Sequence, residues 1–460
     1  MKSDKKIIVL GGGISGLSTA YMLHKKGYEV VVLEKGSEVG GMISTTTEKD
    51  CIVEKGVTHA LELTPIIGEL TEELKLKDDL LYASDLMYKK YIYLDGVMHP
   101  VPLSATTFFK SELFSTNTKL KVMNEPFTGK SKNPTSESIA DFVRRRLGKE
   151  IFENAFDAFV AEAYYGDPEK LSAKYAFPKL FALEEKYGGL LQGAVKSIKN
   201  FKKAASETRQ SGSVFTFAKG FSSLTNAIAG KLGHRVITHA DVLSITKNGE
   251  DFVVSYNHAG QVKTVEGSTV VSTVPAYIAA DLVDPYDHEA ALSLKKIEYP
   301  QVITLYLGFT KKYVTGHTPG YGFTIPHKAK SNIVNVVYIS DLFPSHSTEE
   351  IMLFSVTAGG TRNKELFELS REEIVKKITL ELREMLHITA SPSIQSFKIW
   401  NKFLPQYSIE YKQQEEAFSR FETNNPGFLL SGNFRNGITL SDCLSTAQSV
   451  SDSVERYITS

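Results

Sequence analysis

The beginning of the chain constrains its fold most: residues 7–18 read IIVLGGGISGLS. Residues 5–10 are largely apolar and β-branched, as a buried parallel strand requires. Leu17–Lys26 then reads as a helix stopped by Gly27, and residues 28–34, YEVVVLE, form a second apolar strand ending on Glu34. Strand, glycine turn, helix and acid-terminated strand within about 30 residues make one complete βαβ unit. Gly11, Gly13 and Gly16 fit G-x-G-x-x-G, a dinucleotide-binding pattern. Gly11 permits the tight turn, Gly13 lets backbone approach a diphosphate, and Gly16 lets helix pack closely on strand. Gly12, Ile14 and Ser15 complete the turn, where the helix offers unpaired N–H groups to an anion. Glu34, followed by Lys35, lies where an acid accepts hydrogen bonds from a ribose and disfavours the 2′-phosphate of NADP.

A chain of 460 residues implies two or three domains. With 53 basic and 53 acidic residues the net charge is zero, so no global field favours nucleic acid. The cysteines, Cys51 and Cys443, make neither a disulfide framework nor a zinc pattern. There is no apolar run of about 18 residues, and the N-terminal apolar stretch ends in a glycine turn rather than a cleavage site. These features point to a cytoplasmic protein, or one resting on the cytoplasmic face of a membrane.

Further along, residues 137–166 have helical periodicity, strand signals occupy 235–256, 262–274 and 300–360, and 371–387 reads as a helix. After Glu34, Gly40-Gly41 with Met42 resembles the second glycine pair of the FAD-dependent amine oxidase superfamily, although Val39 stands where that group commonly has Arg. The closing stretch GFLLSGNFRNGITLSDC is similar to the strand, turn and helix that close the flavin site in that group. It carries Gly432, Asn433, Gly437, Ile438 and Thr439, with Asn433 replacing a frequent Asp. The resemblance implies FAD, with Val236–Val242 (including Val242) and Val271–Pro275 (including Thr273) completing the adenine side.

Residues 138–193, together with DGVMHPVPLSA (95–105), FAKGFSSLTNAI (217–228), PGYGFTIP (319–326) and LPQYSIEY (404–411), resemble the oxygen-dependent protoporphyrinogen oxidase family along essentially the whole chain. The expected fold is α/β: a Rossmann-type FAD-binding domain (1–88, 215–290 and 415–460), a mixed-sheet substrate domain (89–103 and 291–414) and a helical insert (104–214). The resemblance implies oxidation of protoporphyrinogen IX in haem biosynthesis. Each two-electron step passes a hydride to the flavin, molecular oxygen is the final acceptor, and neither a protein general base nor a metal is required. The close alternative substrate is coproporphyrinogen III, with two more propionates; Lys89, Lys90, His99 and Lys110 do not choose between them. A flavin amine oxidase, a carotenoid-type desaturase and a non-catalytic binding protein of the same fold are the competing readings.

By the same resemblance Lys90 takes the place of an Arg that pairs with a propionate, keeping the charge without the bidentate fork; the alternative is a solvated strand-edge lysine. Tyr321 lies either against a pyrrole ring or in ordinary packing, and Gly166 caps a helix, with or without a role in the pocket. His59 reads first as a packing histidine, Trp400 as a core residue, and Arg144-Arg145-Arg146 as a solvated face or a headgroup contact. PLSATTFFKSELFS (102–115) fits interfacial anchoring of the insert to a membrane surface, or an ordinary helical domain. A homodimer is left open.

Overall fold

The computed structural model describes residues 6–193 and 213–459. The first strand, Lys6–Leu10, sits near the middle of a five-stranded parallel sheet with the order Val236–Ile237, Glu29–Leu33, Lys6–Leu10, Thr269–Ser272 and Phe428–Leu430. Strands from four separated stretches thus build one sheet. Their apolar runs are buried because both faces are covered, one by helices and the other by the antiparallel strands Ala240–Asn248, Asp251–His258 and Gln261–Gly267. On one face Ile14–Lys25 packs beside the C-terminal helix Leu440–Thr459, burying Leu17, Leu444 and Val454 in a common cluster. Gly27, at φ +92°, ends the first helix as expected, its N–H donating to the carbonyl of His24.

The strand expected over Val236–Val242 divides. Val236–Ile237 pairs with Glu29–Leu33, but His239 turns into the left-handed region at φ +55° and Ala240–Asn248 opens a separate antiparallel sheet. The strand at 271 lies on the other side of Lys6–Leu10, away from Glu29–Leu33.

A second, seven-stranded sheet has the order Ile394–Trp400, Val302–Thr310, Ile351–Gly359, Ile333–Tyr338, Gly322–Thr324, Lys90–Leu94 and Val97–Pro100. It is antiparallel except between Gly322–Thr324 and Lys90–Leu94. Side chains alternate across it with period two. Ile303, Leu305, Phe354, Val356 and Val336 meet Ile374, Ile378 and Leu382 of the helix Arg371–Met385. The opposite face carries Thr304, Thr324, Asn335, Ser355 and Thr357, all buried. A buried polar face has to be hydrogen-bonded, and it belongs where a site is built.

Above that face lies the helix Asp157–Tyr164, joined by a π-helical turn at Phe152–Phe156 and Lys149–Ile151 to the helix Ile139–Arg146. Gly148, at φ +101°, separates Ile139–Arg146 from Lys149–Ile151, so the helical stretch expected over 137–166 is two helices. The part of the helical insert between 194 and 212 lies outside the described residues.

Of the three consecutive arginines, Arg145 and Arg146 face inward and Arg144 lies at the surface. Arg146 is fully buried; its guanidinium donates to Glu184 (2.5 Å), Glu125 (3.1 Å) and the carbonyls of Thr128 and Gly188. Arg145 pairs with Glu137 and Glu184, and Arg144 with Glu169. Neither a solvated face nor a headgroup contact describes Arg145 and Arg146, which knot the insert together, whereas Arg144 keeps a partly solvated ion pair. No described helix is long and apolar enough to cross a membrane.

Candidate functional site

The glycine turns meet at the carboxyl ends of the parallel strands, where an open α/β sheet offers a crevice. Gly11 takes φ +101° and donates its N–H to the carbonyl of Leu33. Glu34 ties the first turn to the next: its carboxylate accepts from the N–H of Gly12 at 2.6 Å and of Gly36 at 2.7 Å. Gly40 N–H donates to the carbonyl of Gly12, and a Cβ on Gly41 would lie 3.4 Å from the Cα of Gly13. The pair Gly40-Gly41 therefore packs directly on the first turn. Val39 shares the apolar cluster with Ile14, so its side chain fills space rather than offering a charge.

A Cβ on Gly16 would fall 2.0 Å from the carbonyl oxygen of Gly11 and 2.6 Å from Thr273 Oγ1, so only glycine lets this helix approach its strand. By contrast, nothing lies within 4 Å of a Cβ built on Gly13. The helix it precedes has neither a side-chain cap nor an acid in its first turn, leaving its N–H groups for a ligand. Thr273 Oγ1 donates to the carbonyl of Leu10, and Gly432 abuts the Thr273 carbonyl. Thr439 and Asp442 cap the C-terminal helix reciprocally. Ser15 and Cys443 are hydrogen-bonded, so the starts of the first and last helices lie side by side. Burial pushes the Cys443 thiol up to about 11, which leaves it protonated and unreactive.

Tyr407 and Tyr411, both within the stretch LPQYSIEY (404–411), hold the closing loop. The Tyr407 hydroxyl donates to the carbonyl of Asn433 (2.9 Å) and accepts from Gly437 N–H (2.9 Å); Tyr411 donates to the carbonyl of Phe434 (2.6 Å). Met42 presents its carbonyl towards Gly56. Ile438 and Val242 are half-buried against the larger apolar core, and Lys35 turns outward to Asp241. An open slot at a helix start, roofed by backbone glycines and ended by an anchored carboxylate, suits a dinucleotide diphosphate and its adenosine ribose.

On the inner face of the second sheet, Lys90 Nζ is 2.5 Å from Glu162, with ring centroids of Tyr321 at 4.8 Å and Phe159 at 5.0 Å. Lys90 and Tyr321 thus come together, and the lysine is no solvated edge residue. Tyr321 hydroxyl lies 2.6 Å from His59 Nε2, and His59 Nδ1 is 2.8 Å from Thr58 Oγ1. Burial, aided by the Lys90 charge, pushes the imidazole down to about 4, while burial and the Glu162 charge raise the Tyr321 phenol. The Tyr321 hydroxyl thus lies between His59 Nε2 and the Glu162 carboxylate. His59 is therefore the link from the first sheet's loops to Tyr321.

Gly166 does not cap the helix Asp157–Tyr164. Tyr165 does, at φ +55°, while a Cβ on Gly166 would collide with Gln406. Tyr165 stacks edge-on with Phe403 and bonds to Thr357, whose hydroxyl also donates to Asn335. Trp400 is half-buried rather than a core residue; its Nε1 shares the carbonyl of Lys55 with Thr304, tying the backbone after Cys51–Glu54 to the second sheet. Polar residues alternating within apolar strands (Thr304, Asn335, Ser355, Thr357) were the legible signal for this face.

The family described as flavin containing amine oxidoreductase matches residues 14–454. Protoporphyrinogen oxidase 2, chloroplastic/mitochondrial, of Arabidopsis thaliana is 27% identical over 100% of this chain and 95% of its own length. Coproporphyrinogen III oxidase of Bacillus subtilis (strain 168) is 24% identical over 98% of each. Among solved structures, one from Exiguobacterium sp. 255-15 matches with TM-score 0.81 and 20% identity over 99% of both chains. A putrescine oxidase bound to putrescine matches with TM-score 0.70 and 15% identity, over 98% of this chain and 99% of its own.

Proposed function

Because this chain belongs to the flavin containing amine oxidoreductase family, we propose that it is an FAD-dependent oxidoreductase that oxidises a porphyrinogen to the porphyrin in haem biosynthesis. FAD is its cofactor, and bound FAD supplies the two-electron acceptor. The first turn, Glu34, Gly40-Gly41 and the loop Gly432–Thr439 hold it, with Thr273 between them and Val242 towards the adenine. The observation that supports the substrate class is the cluster of Lys90, Tyr321, Phe159 and Tyr165 on a buried polar sheet face. A large, flat, mainly apolar macrocycle fits these aromatic faces. Whole-length similarity to protoporphyrinogen and coproporphyrinogen oxidases supports the same reading.

Protoporphyrinogen IX is the preferred substrate and molecular oxygen the acceptor, reduced to hydrogen peroxide. The protein's own part is to hold the macrocycle against the flavin and to exclude water. Tyr321 and neutral His59 keep their protons and present no competing charge. Assaying the purified holoenzyme under air with each porphyrinogen, reading porphyrin fluorescence and peroxide together, tests this. Porphyrin and peroxide appearing together support it; neither appearing above the no-enzyme rate overturns it.

We further propose that the insert rests on a membrane surface from the cytoplasmic side. Leu103, Phe109, Leu120, Met123 and Phe127 are exposed, Phe127 at 87%, beside Lys110, Lys119 and Lys121. Apolar side chains flanked by lysines suit an anionic interface. Co-sedimentation with anionic liposomes at low salt supports this reading, and its absence removes it.

A further inference from the structure

Lys90 is not free to receive a ligand carboxylate. Its ammonium already has a partner 2.5 Å away in Glu162, and both side chains are largely buried, at 21% and 15% exposure. Glu162 is itself held: Asn335 Nδ2 lies 3.4 Å from its other oxygen, and Asn335 is fixed in turn by Thr357. The pair is built into three elements, Lys90–Leu94, Asp157–Tyr164 and Ile333–Tyr338, and is no accident of two flexible chains.

The groups facing it from the surrounding elements are Phe159 and Tyr165 around its own helix, Tyr321 ahead of Gly322–Thr324, and His59 behind Tyr321. None carries a charge near neutral pH: the imidazole is pushed down to about 4 and both phenols are raised. The charge of this edge of the pocket is therefore Lys90 plus Glu162, which is zero. A carboxylate approaching Lys90 meets Glu162 beside it, and like charges close together in a partly desolvated site repel strongly.

We propose that Glu162 is a specificity-determining residue: by neutralising Lys90 it makes this edge of the pocket select a macrocycle with few carboxylates over one with many. The proposal rests on the porphyrinogen reading and deepens it. A dicarboxylic macrocycle can turn an apolar edge to the Lys90–Glu162 pair and keep its acids elsewhere. A tetracarboxylic one, with acids on all four rings, has to press one of them against Glu162.

The test is equilibrium binding of protoporphyrin IX and coproporphyrin III to the oxidised holoenzyme, read by porphyrin fluorescence anisotropy, in wild type, Glu162→Gln and Lys90→Met. Wild type prefers protoporphyrin IX. Glu162→Gln releases Lys90 and shifts the affinity ratio towards coproporphyrin III by at least about tenfold. Lys90→Met leaves Glu162 alone and shifts the ratio the other way, which carries the test even where Glu162→Gln folds poorly. A ratio unchanged in both variants, or a wild type that prefers coproporphyrin III, overturns the role of Glu162 while leaving the porphyrinogen reading intact. A wild type that binds neither porphyrin overturns both.

Discussion

Replacing Arg146 by Met removes the centre of the insert's buried ion network. In the intact protein the guanidinium, fully buried, serves two carboxylates and two carbonyls. Taking one partner out of a buried pair costs about 3–5 kcal/mol, because the remaining charge is left without compensation. Here the loss is moderated on both acids. Glu125 keeps the N–H groups of Leu190 (2.8 Å) and Leu191 (3.1 Å), and Glu184 keeps Arg145 (3.0 Å) and the Ser131 N–H (3.0 Å). The Thr128 and Gly188 carbonyls lose charged donors outright, at about 1.5 kcal/mol or more each before relaxation. The expected destabilisation of Arg146→Met is therefore about 4 kcal/mol, a large share of a domain's total of about 5–15 kcal/mol.

The assay is urea unfolding followed by far-UV circular dichroism, with flavin absorbance and limited proteolysis read alongside. Proteolysis should open the insert first while flavin absorbance persists, since Arg146 does not touch the cofactor cradle. Adding Glu125→Gln and Glu184→Gln should recover at least half of the loss. Burial pushes the Glu184 carboxyl up, but Arg146, Ser131 and Arg145 outweigh it and hold it below 4.5. Its contribution is present above the unfolded value and lost as pH falls through the folded one, so the single variant should lose less stability on acidification than wild type. A destabilisation under about 1 kcal/mol would refute the reasoning.

Three further outcomes rest on local geometry. Gly16→Ala forces the first helix off its strand and should lower flavin occupancy by at least about tenfold, whereas Gly230→Ala, with nothing within 4 Å, should be neutral or stabilising by about 0.5–1 kcal/mol; flavin-to-protein absorbance ratios and melting curves check both. Burial raises the Glu54 carboxyl to about 7 despite the Phe221 N–H and the Thr45 hydroxyl. The folded protein therefore holds a proton the unfolded chain has released, and stability from this group falls by about 3 kcal/mol from pH 4.5 to 7; melting profiles of Glu54→Gln should lack that fall. His59, depressed to about 4, should show no charge change between pH 5 and 8 by NMR of labelled histidine, and a midpoint above 6 would contradict its enclosure beside Lys90.

Local features were the legible ones in the sequence. The first βαβ unit, the capped helix at 371 and the glycine turns depend on residues a few positions apart, and the structure keeps to them closely. The arginine run shows the limit: its charges are visible, but the carboxylates that receive them, Glu125 and Glu184, are 21 and 38 residues away. Lys90 was legible as a cation, while the acid that occupies it lies 72 residues on. Gly166 reads as a cap because glycine usually takes the left-handed position. Here Tyr165 takes it, and Gly166 is required by the approach of Gln406. Val236–Val242 reads as one strand, and only the bonds from His239 and Ala240 to Gly36 and Glu34 reveal the break.

The most direct test of the account is anaerobic mixing of the oxidised holoenzyme with protoporphyrinogen IX, monitoring the flavin spectrum. The account predicts that the oxidised flavin bands bleach as porphyrin absorbance rises, and return when oxygen is admitted. Bands that stay unbleached with protoporphyrinogen IX and with coproporphyrinogen III alike would contradict it.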